Sequence, residues 1–242
     1  MERGLVTRTG AIGALGILLI GSLTGLNPAT STSWFVVVAV VWVSIIGYTT
    51  GRGHLLPHAP IGPANAITLV RGFLVSLLAG FVVLTPSTSV LPAALYLAAI
   101  VLDAVDGAVA RRTLVTSLGR FLDRYVDAHT ILVGAGVGVA LGTLPWWYLL
   151  AGLVWYLFAG SLWIRERLGG AVFALPPSRI RRPVGIMQLV LIGAGLLPDV
   201  IPVPLAPLAA IALACLLLSF LRDWLWASGR AWVVPGPAPA ER

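Results

Sequence analysis

Residues 103–127 read DAVDGAVARRTLVTSLGRFLDRYVD, and four of the nine acidic residues of the 242-residue chain stand within them: Asp103, Asp106, Asp123 and Asp127. Apolar sequence leads into this stretch from residue 90 and continues beyond it to residue 142. On insertion scales an aspartate at the centre of a membrane helix costs about 3 kcal/mol, so four oppose insertion by on the order of 10 kcal/mol. Carboxylates retained against such a penalty serve a purpose. The first pair is spaced by three residues and the second by four, so each pair shares a helix face, offset by about 60° and about 40° respectively. Two helices that each present two carboxylates describe a metal site.

The composition supplies the setting. Hydrophobic residues make up 58% of the chain and charged residues 10%, with a mean hydropathy of +0.96, far outside the usage of soluble domains. The chain reads as an all-α integral membrane protein, a polytopic helical bundle in the lipid bilayer. Its net charge of +7 includes 16 basic residues, every one an arginine. They fall in short segments between apolar stretches rather than along one basic face, which argues against a nucleic-acid partner. A lone cysteine, Cys215, in an apolar run excludes a disulfide framework and a cysteine-type zinc site.

Apolar stretches of span length occupy residues 10–27, 33–49, 65–84, 89–110, 118–142, 146–164, 184–198 and 203–221. They predict eight transmembrane helices, divided into an N-terminal hairpin over 1–50, a cytoplasmic connector over 51–64 and a six-helix core over 65–225. A cytoplasmic tail over 226–242 follows, partly disordered. Arg3 and Arg8 before the first stretch resemble a signal peptide, yet no small-x-small cleavage site surrounds Asn27-Pro28-Ala29, so the stretch is read as a retained helix. The outer loops 28–32, 85–88, 143–145 and 199–202 hold no arginine. Inner segments hold Arg3, Arg8, Arg52, Arg111, Arg112, Arg165, Arg167, Arg179, Arg181, Arg182, Arg222, Arg230 and Arg242. This positive-inside pattern places both termini in the cytoplasm and the aspartates near the inner face. Trp146, Trp147 and Tyr148 then form an outer aromatic belt, with Trp224 and Trp226 in an inner one.

Asp103 and Asp106 lie toward the C-terminal end of their helix, where the macrodipole disfavours carboxylates. Helix stabilisation therefore does not account for them. Four clustered carboxylates repel one another and take up protons unless a cation is present. Mg²⁺ or Mn²⁺, hard cations that prefer oxygen ligands, fit that need. Gly107 and Ala110 keep the same surface thin for a phosphate-bearing ligand, and Arg111 supplies charge for phosphate oxygens. Gly119, with Ser117 as candidate N-cap, opens a facing helix whose N-terminal N–H groups suit an anion.

The run resembles the pattern of the CDP-alcohol phosphatidyltransferase family, D-x2-D-G-x2-A-R, a gap, then G-x3-D-x3-D. All eight fixed positions are present as Asp103, Asp106, Gly107, Ala110, Arg111, Gly119, Asp123 and Asp127. The seven-residue gap is one shorter than the more usual form, and the missing residue falls in the inter-helix loop. Asn65-x2-Thr68-x2-Arg71, just after Pro63, resembles the family's opening to its first core helix. The resemblance spans 65–225 and is silent on the hairpin. It implies two divalent ions, Mg²⁺ or Mn²⁺, held by Asp103, Asp106 and Asp123. Asp127 completes the acidic set and matches the general base. Gly107, Ala110, Arg111, Gly119, Asn65 and Thr68 match nucleotide-side positions. The implied partners are a CDP-linked lipid donor and an alcohol acceptor, with CMP released. A homodimer is the expected assembly.

Plainer readings stand beside these. Asn65 can serve as an N-cap and Arg71 as a snorkelling side chain. Gly134, Gly138 and Gly142 form a small-residue ridge for helix packing, within the fold or between protomers. His129 lies on a different helix face from Asp127 and reads as a polar packing residue. His54 and His58 have no further ligand nearby, and Asp199 reads as solvated. The segment 165–182 carries five arginines and a single acid, Glu166, as either an orientation signal or an anion site. Within it Arg179 and Arg182 are the candidates to hold a phosphorylated acceptor such as glycerol 3-phosphate or inositol phosphate. A cation transporter explains the aspartates but gives no reason for Gly107, Ala110 and Arg111. The aspartate-rich motifs of prenyl-diphosphate transferases lack the Gly-x2-Ala-Arg element.

Overall fold

The computed structural model describes residues 2–26, 32–53, 62–84, 90–110 and 117–230. Among them are eight α-helices and no strand: α1 (Glu2–Leu26), α2 (Thr32–Gly53), α3 (Pro63–Ala79), α4 (Val90–Ala110), α5 (Ser117–Ala140), α6 (Leu149–Arg167), α7 (Arg181–Gly195) and α8 (Ala206–Ala227). Each predicted apolar stretch coincides with one helix. Pro63 opens α3 and Pro207 lies in the first turn of α8, where a missing N–H costs no helical bond. α5 and α6 end just before glycines in the left-handed region, Gly142 at φ 74° and Gly169 at φ 78°. The reversal lets Thr143 N donate to Gly138 O at 3.0 Å and Gly170 N to Arg165 O at 2.9 Å, satisfying terminal carbonyls.

Five segments are long and apolar enough to cross a membrane: Thr32–Gly51, Pro63–Val82, Val90–Ala110, Trp146–Arg167 and Ala206–Ala227. α7 is short, at 15 residues, and α5 carries Arg120, Asp123, Arg124 and Asp127 in its first half. The large apolar side chains left on the surface, such as Leu18, Val40, Val101, Leu157 and Leu218, suit contact with lipid.

α3 is the hub. It packs along α4 on one side and α5 on another, while α4 and α5 meet each other over a far smaller surface. Behind α3, the α1–α2 hairpin packs on α3 and α5; α6, α7 and α8 close the other side. Close approaches are built on small residues. A Cβ on Gly152 of α6 would come within 2.3 Å of the Leu132 backbone, and one on Gly134 within 2.6 Å of Ile192 and 2.9 Å of Tyr96. Gly134 and Gly138 of the glycine ridge are therefore a packing surface within the fold, Gly138 against Leu144, whereas Gly142 lies beyond α5, where among the described residues a Cβ would meet nothing within 4 Å. Buried polar groups join the far helices: Tyr148 OH donates to Gln188 Oε1, Gln188 Nε2 donates to Ala212 O at 2.9 Å, and Tyr96 OH donates to Leu189 O at 3.1 Å. In apolar surroundings such bonds lock one helix rotation against another.

Candidate metal and phosphate site

The four aspartates converge although they come from two helices that barely touch. Carboxylate oxygens of Asp103 and Asp106 on α4 and Asp123 on α5 all lie within 4.8 Å of one another. α3 brings them together. Thr68 Oγ1 donates to Asp106 Oδ2 at 2.9 Å. Three residues on, Arg71 extends its guanidinium into the middle of the cluster. Its Nη1 donates to Asp103 Oδ1 and lies 3.6 Å from Asp106 Oδ2. Its Nη2 lies 2.8 Å from Asp127 Oδ1, 3.1 Å from Asp123 Oδ1 and 3.2 Å from the Asp123 carbonyl. Arg71 is only 1% exposed and the Asp106 side chain 7%, whereas Asp103, Asp123 and Asp127 are about half open at 45%, 43% and 51%.

One guanidinium among four carboxylates leaves a formal charge of −3 (four negative, one positive). The donors that face one another are all oxygens. An oxygen-only set with excess negative charge, half open on one side, fits hard divalent cations and not a soft or thiolate-preferring metal. Two such ions would turn the balance to +1 and make the site attractive to a diphosphate.

Asp103, Asp106 and Asp123 form the compact trio. Asp127, one turn further along α5, stands outside it and joins through Arg71. Thr68 touches the trio directly. Asn65 is buried one turn before Thr68. The N-cap of α3 is Gly62, so Asn65 is not the cap. Arg71 does not snorkel: it is buried, and it organises the site. Its spacing from Thr68 was the available signal, since residues three apart share a helix face. Gly107, Ala110 and Gly119 lie partly buried on the flanking turns. Arg111 and the Ser117 side chain lie outside the described residues, as do His54 and His58.

A cavity of about 140 Å³ opens beside the cluster, lined by Arg71, Asp103 and Asp127 together with Ala99 and Ile100 of α4, Thr130 and Ile131 of α5, and Gly185 and Leu189 of α7. A second, of about 150 Å³, lies among α5, α6 and α8, where Trp155, Leu216 and Phe220 give it an apolar lining and Arg124 a charge. Asp127 and Ile131 line both. Asp127 thus stands on the wall between an α4–α7 chamber and an α6–α8 chamber.

Of the arginines at 165–182, several are committed to the fold. Arg165 donates to Ala171 O and Ser228 O at 2.9 Å each. Arg181 donates to both oxygens of the buried Asp223, which Arg222 also pairs. Arg167 lies over the Trp163 ring at 5.1 Å. Arg179 and Arg182 are exposed.

Comparison with curated proteins and with solved structures gave no match. A model of the CDP-alcohol phosphatidyltransferase family matches residues 62–221, from the residue before α3 into the last turns of α8. That range contains the aspartates, Thr68, Arg71 and both cavities and leaves out the α1–α2 hairpin. The chain, an integral membrane protein of several apolar helices, belongs to the CDP-alcohol phosphatidyltransferase family.

Proposed function

We propose that the protein transfers a phosphatidyl-type group from a CDP-linked lipid to the hydroxyl of an alcohol acceptor, releasing CMP, in phospholipid biosynthesis. The observation that carries this reading is the oxygen-only trio of Asp103, Asp106 and Asp123 within the family-matched region. Asp103, Asp106, Asp123 and the neighbouring Asp127 would hold two ions, Mg²⁺ or Mn²⁺. When bound, these supply the charge neutralisation that a diphosphate needs to leave as CMP. Gly107, Ala110, Arg111, Gly119, Asn65 and Thr68 would accommodate the nucleotide. Asp127 takes the proton of the acceptor hydroxyl as that oxygen bonds to the lipid-side phosphorus and the bond from phosphorus to the CMP oxygen breaks. Its place on the wall between two chambers suits a base that meets donor and acceptor together. A cation path is a poorer reading, because it gives no reason for Gly107, Ala110 and Arg111 at their spacing.

Arg182, Gly185 and Leu189 occupy positions i, i+3 and i+7 of α7, so they share one helix face. Gly185 and Leu189 line the α4–α7 chamber, which puts Arg182 one turn beyond it. With Arg179 it is free to grip a phosphorylated acceptor such as glycerol 3-phosphate or inositol phosphate. In the membrane we infer eight spans, both termini and the aspartates on the cytoplasmic side, and a homodimer. The test is to incubate membranes containing the protein with a CDP-lipid, Mn²⁺ or Mg²⁺, and a panel of alcohols. Acceptor-dependent CMP release is expected, and its absence with every acceptor and both metals sinks the reading. Arg179→Ala and Arg182→Ala should raise the acceptor KM well above any change in donor KM. Equal acceptor kinetics would return both arginines to a topological role.

A further inference from the structure

The α1–α2 hairpin lies outside the family-matched range, yet α2 is docked on the two helices that carry Arg71, Asp123 and Asp127. Against α3, Ile45 packs where a Cβ on Gly72 would sit at 3.2 Å, and the Trp34 ring covers Gly80 so closely that a Cβ there would overlap it at 2.1 Å. Trp42 meets Phe73 edge-on with centroids 5.2 Å apart, and its Nε1 donates to Gly13 O at 3.1 Å, tying α1 to α2. Against α5, Tyr48 stacks flat on Tyr125, centroids 3.9 Å apart and planes within 1°. One turn away, Ser44 Oγ lies 3.2 Å from His129 Nε2.

These α5 contacts form a ladder in which Ser44 meets His129 and Tyr48 meets Tyr125, so α2 and α5 run antiparallel. Both partners on α5 sit opposite its acids. At about 100° per residue, Tyr125 and His129 centre about 180–200° around the helix from Asp123 and Asp127. His129 Nδ1 lies 3.0 Å from the Tyr125 carbonyl, which only accepts, so Nδ1 carries the proton; Tyr156 Oη lies 2.8 Å from the same nitrogen, and Nε2 accepts from Ser44 Oγ–H at 3.2 Å. The back of α5 is thereby gripped from α6 and from the hairpin at once. At a side-chain radius of about 5–6 Å, a 20° roll of α5 moves a carboxylate by about 2 Å, far beyond the about 0.2 Å tolerance of a metal–ligand distance.

We propose that the N-terminal hairpin is a rotational brace for the catalytic helix, and that Ser44, Tyr48, Tyr125 and His129 are positioning residues that hold Asp123 and Asp127 in register with Asp103 and Asp106. The inference rests on the metal-dependent transferase reading. It is tested in the full chain by Mn²⁺ titration, followed by loss of the free-ion EPR signal, alongside CMP-release kinetics. Ser44→Ala and His129→Leu should each weaken Mn²⁺ affinity by up to about tenfold, the lower bound of what losing a direct hydrogen-bond partner of a ligand costs. The double variant should be no worse than His129→Leu alone, because both break one chain. His129→Gln, which keeps an amide oxygen to accept from Ser44, should recover most of the affinity. At saturating Mn²⁺ the donor KM should stay within error of wild type, and Ser22→Ala, on the exposed far part of α1, should change nothing. If the variants lose only thermal stability and bind Mn²⁺ as wild type does, the brace is overturned and the hairpin is packing alone. If wild type neither binds Mn²⁺ nor releases CMP, the transferase reading falls and takes the brace with it.

Discussion

Replacing Arg71 with Met keeps an unbranched stem in the buried slot and removes the one cation among the described residues that reaches all four aspartates. The oxygens of Asp103, Asp106 and Asp123 lie within 4.8 Å, and two unit charges at that distance repel by about 3.5 kcal/mol at an effective dielectric of about 20. Three such pairs make about 10 kcal/mol of repulsion for a fully ionised, cation-free trio. Water reaches Asp103 and Asp123, which are about half exposed, so much of this is screened or relieved by proton uptake. Asp106 is the member held away from water, at 7%. The net loss should therefore be close to the about 3–5 kcal/mol measured when a buried ion pair loses one partner. For a chain of this size that lowers the unfolding midpoint on the order of 10 °C. The assay is thermal unfolding of detergent-solubilised protein in EDTA and again in Mn²⁺. Arg71→Met should fall by that amount in EDTA and gain more from Mn²⁺ than wild type does, because the ion supplies charge that the guanidinium no longer provides. Saturation to about 100 times Kd is worth about 2.7 kcal/mol to any folded state that binds. An EDTA midpoint within about 2 °C of wild type, or equal Mn²⁺ gains in both proteins, would refute this account of Arg71.

Asp103→Asn, Asp106→Asn and Asp123→Asn should each abolish CMP release and weaken Mn²⁺ binding, whereas Asp127→Asn should lose turnover while keeping more of its CDP-lipid binding. Near-normal turnover in Asp127→Asn would remove it as the base. Gly152→Ala should destabilise by at least the about 1–3 kcal/mol of an overpacked core, since its Cβ would fall 2.3 Å from the Leu132 backbone. A wild-type unfolding midpoint for that variant would show that α5 and α6 are set further apart. Reporter fusions should place residues 143–145 outside and both termini inside; residues 143–145 inside, or the C-terminus outside, would show that the span count is wrong.

The helices were legible because apolar stretches, prolines and glycines are local signals. A run of span length forms a helix wherever it lies, and the four aspartates announced themselves by the insertion penalty they carry. Their pairing on helix faces also followed from spacing alone. Arg71 was not legible in the same way. An arginine midway along an apolar helix, as Arg71 is in α3, has two outcomes, a charge led out to water or a charge buried among carboxylates. The choice depends on which helices lie alongside, and α3 proves to be wedged between α4 and α5. The arginines at 165–182 divided for the same reason: Arg165 and Arg181 are committed because Ser228 and Asp223, far along the chain, come within reach. Sequence also read His129 as a packing residue and could not supply its partner, since Ser44 lies 85 positions away. Local spacing determined which residues share a helix face. Which faces meet, and so which charges neutralise one another, was decided only when the helices packed.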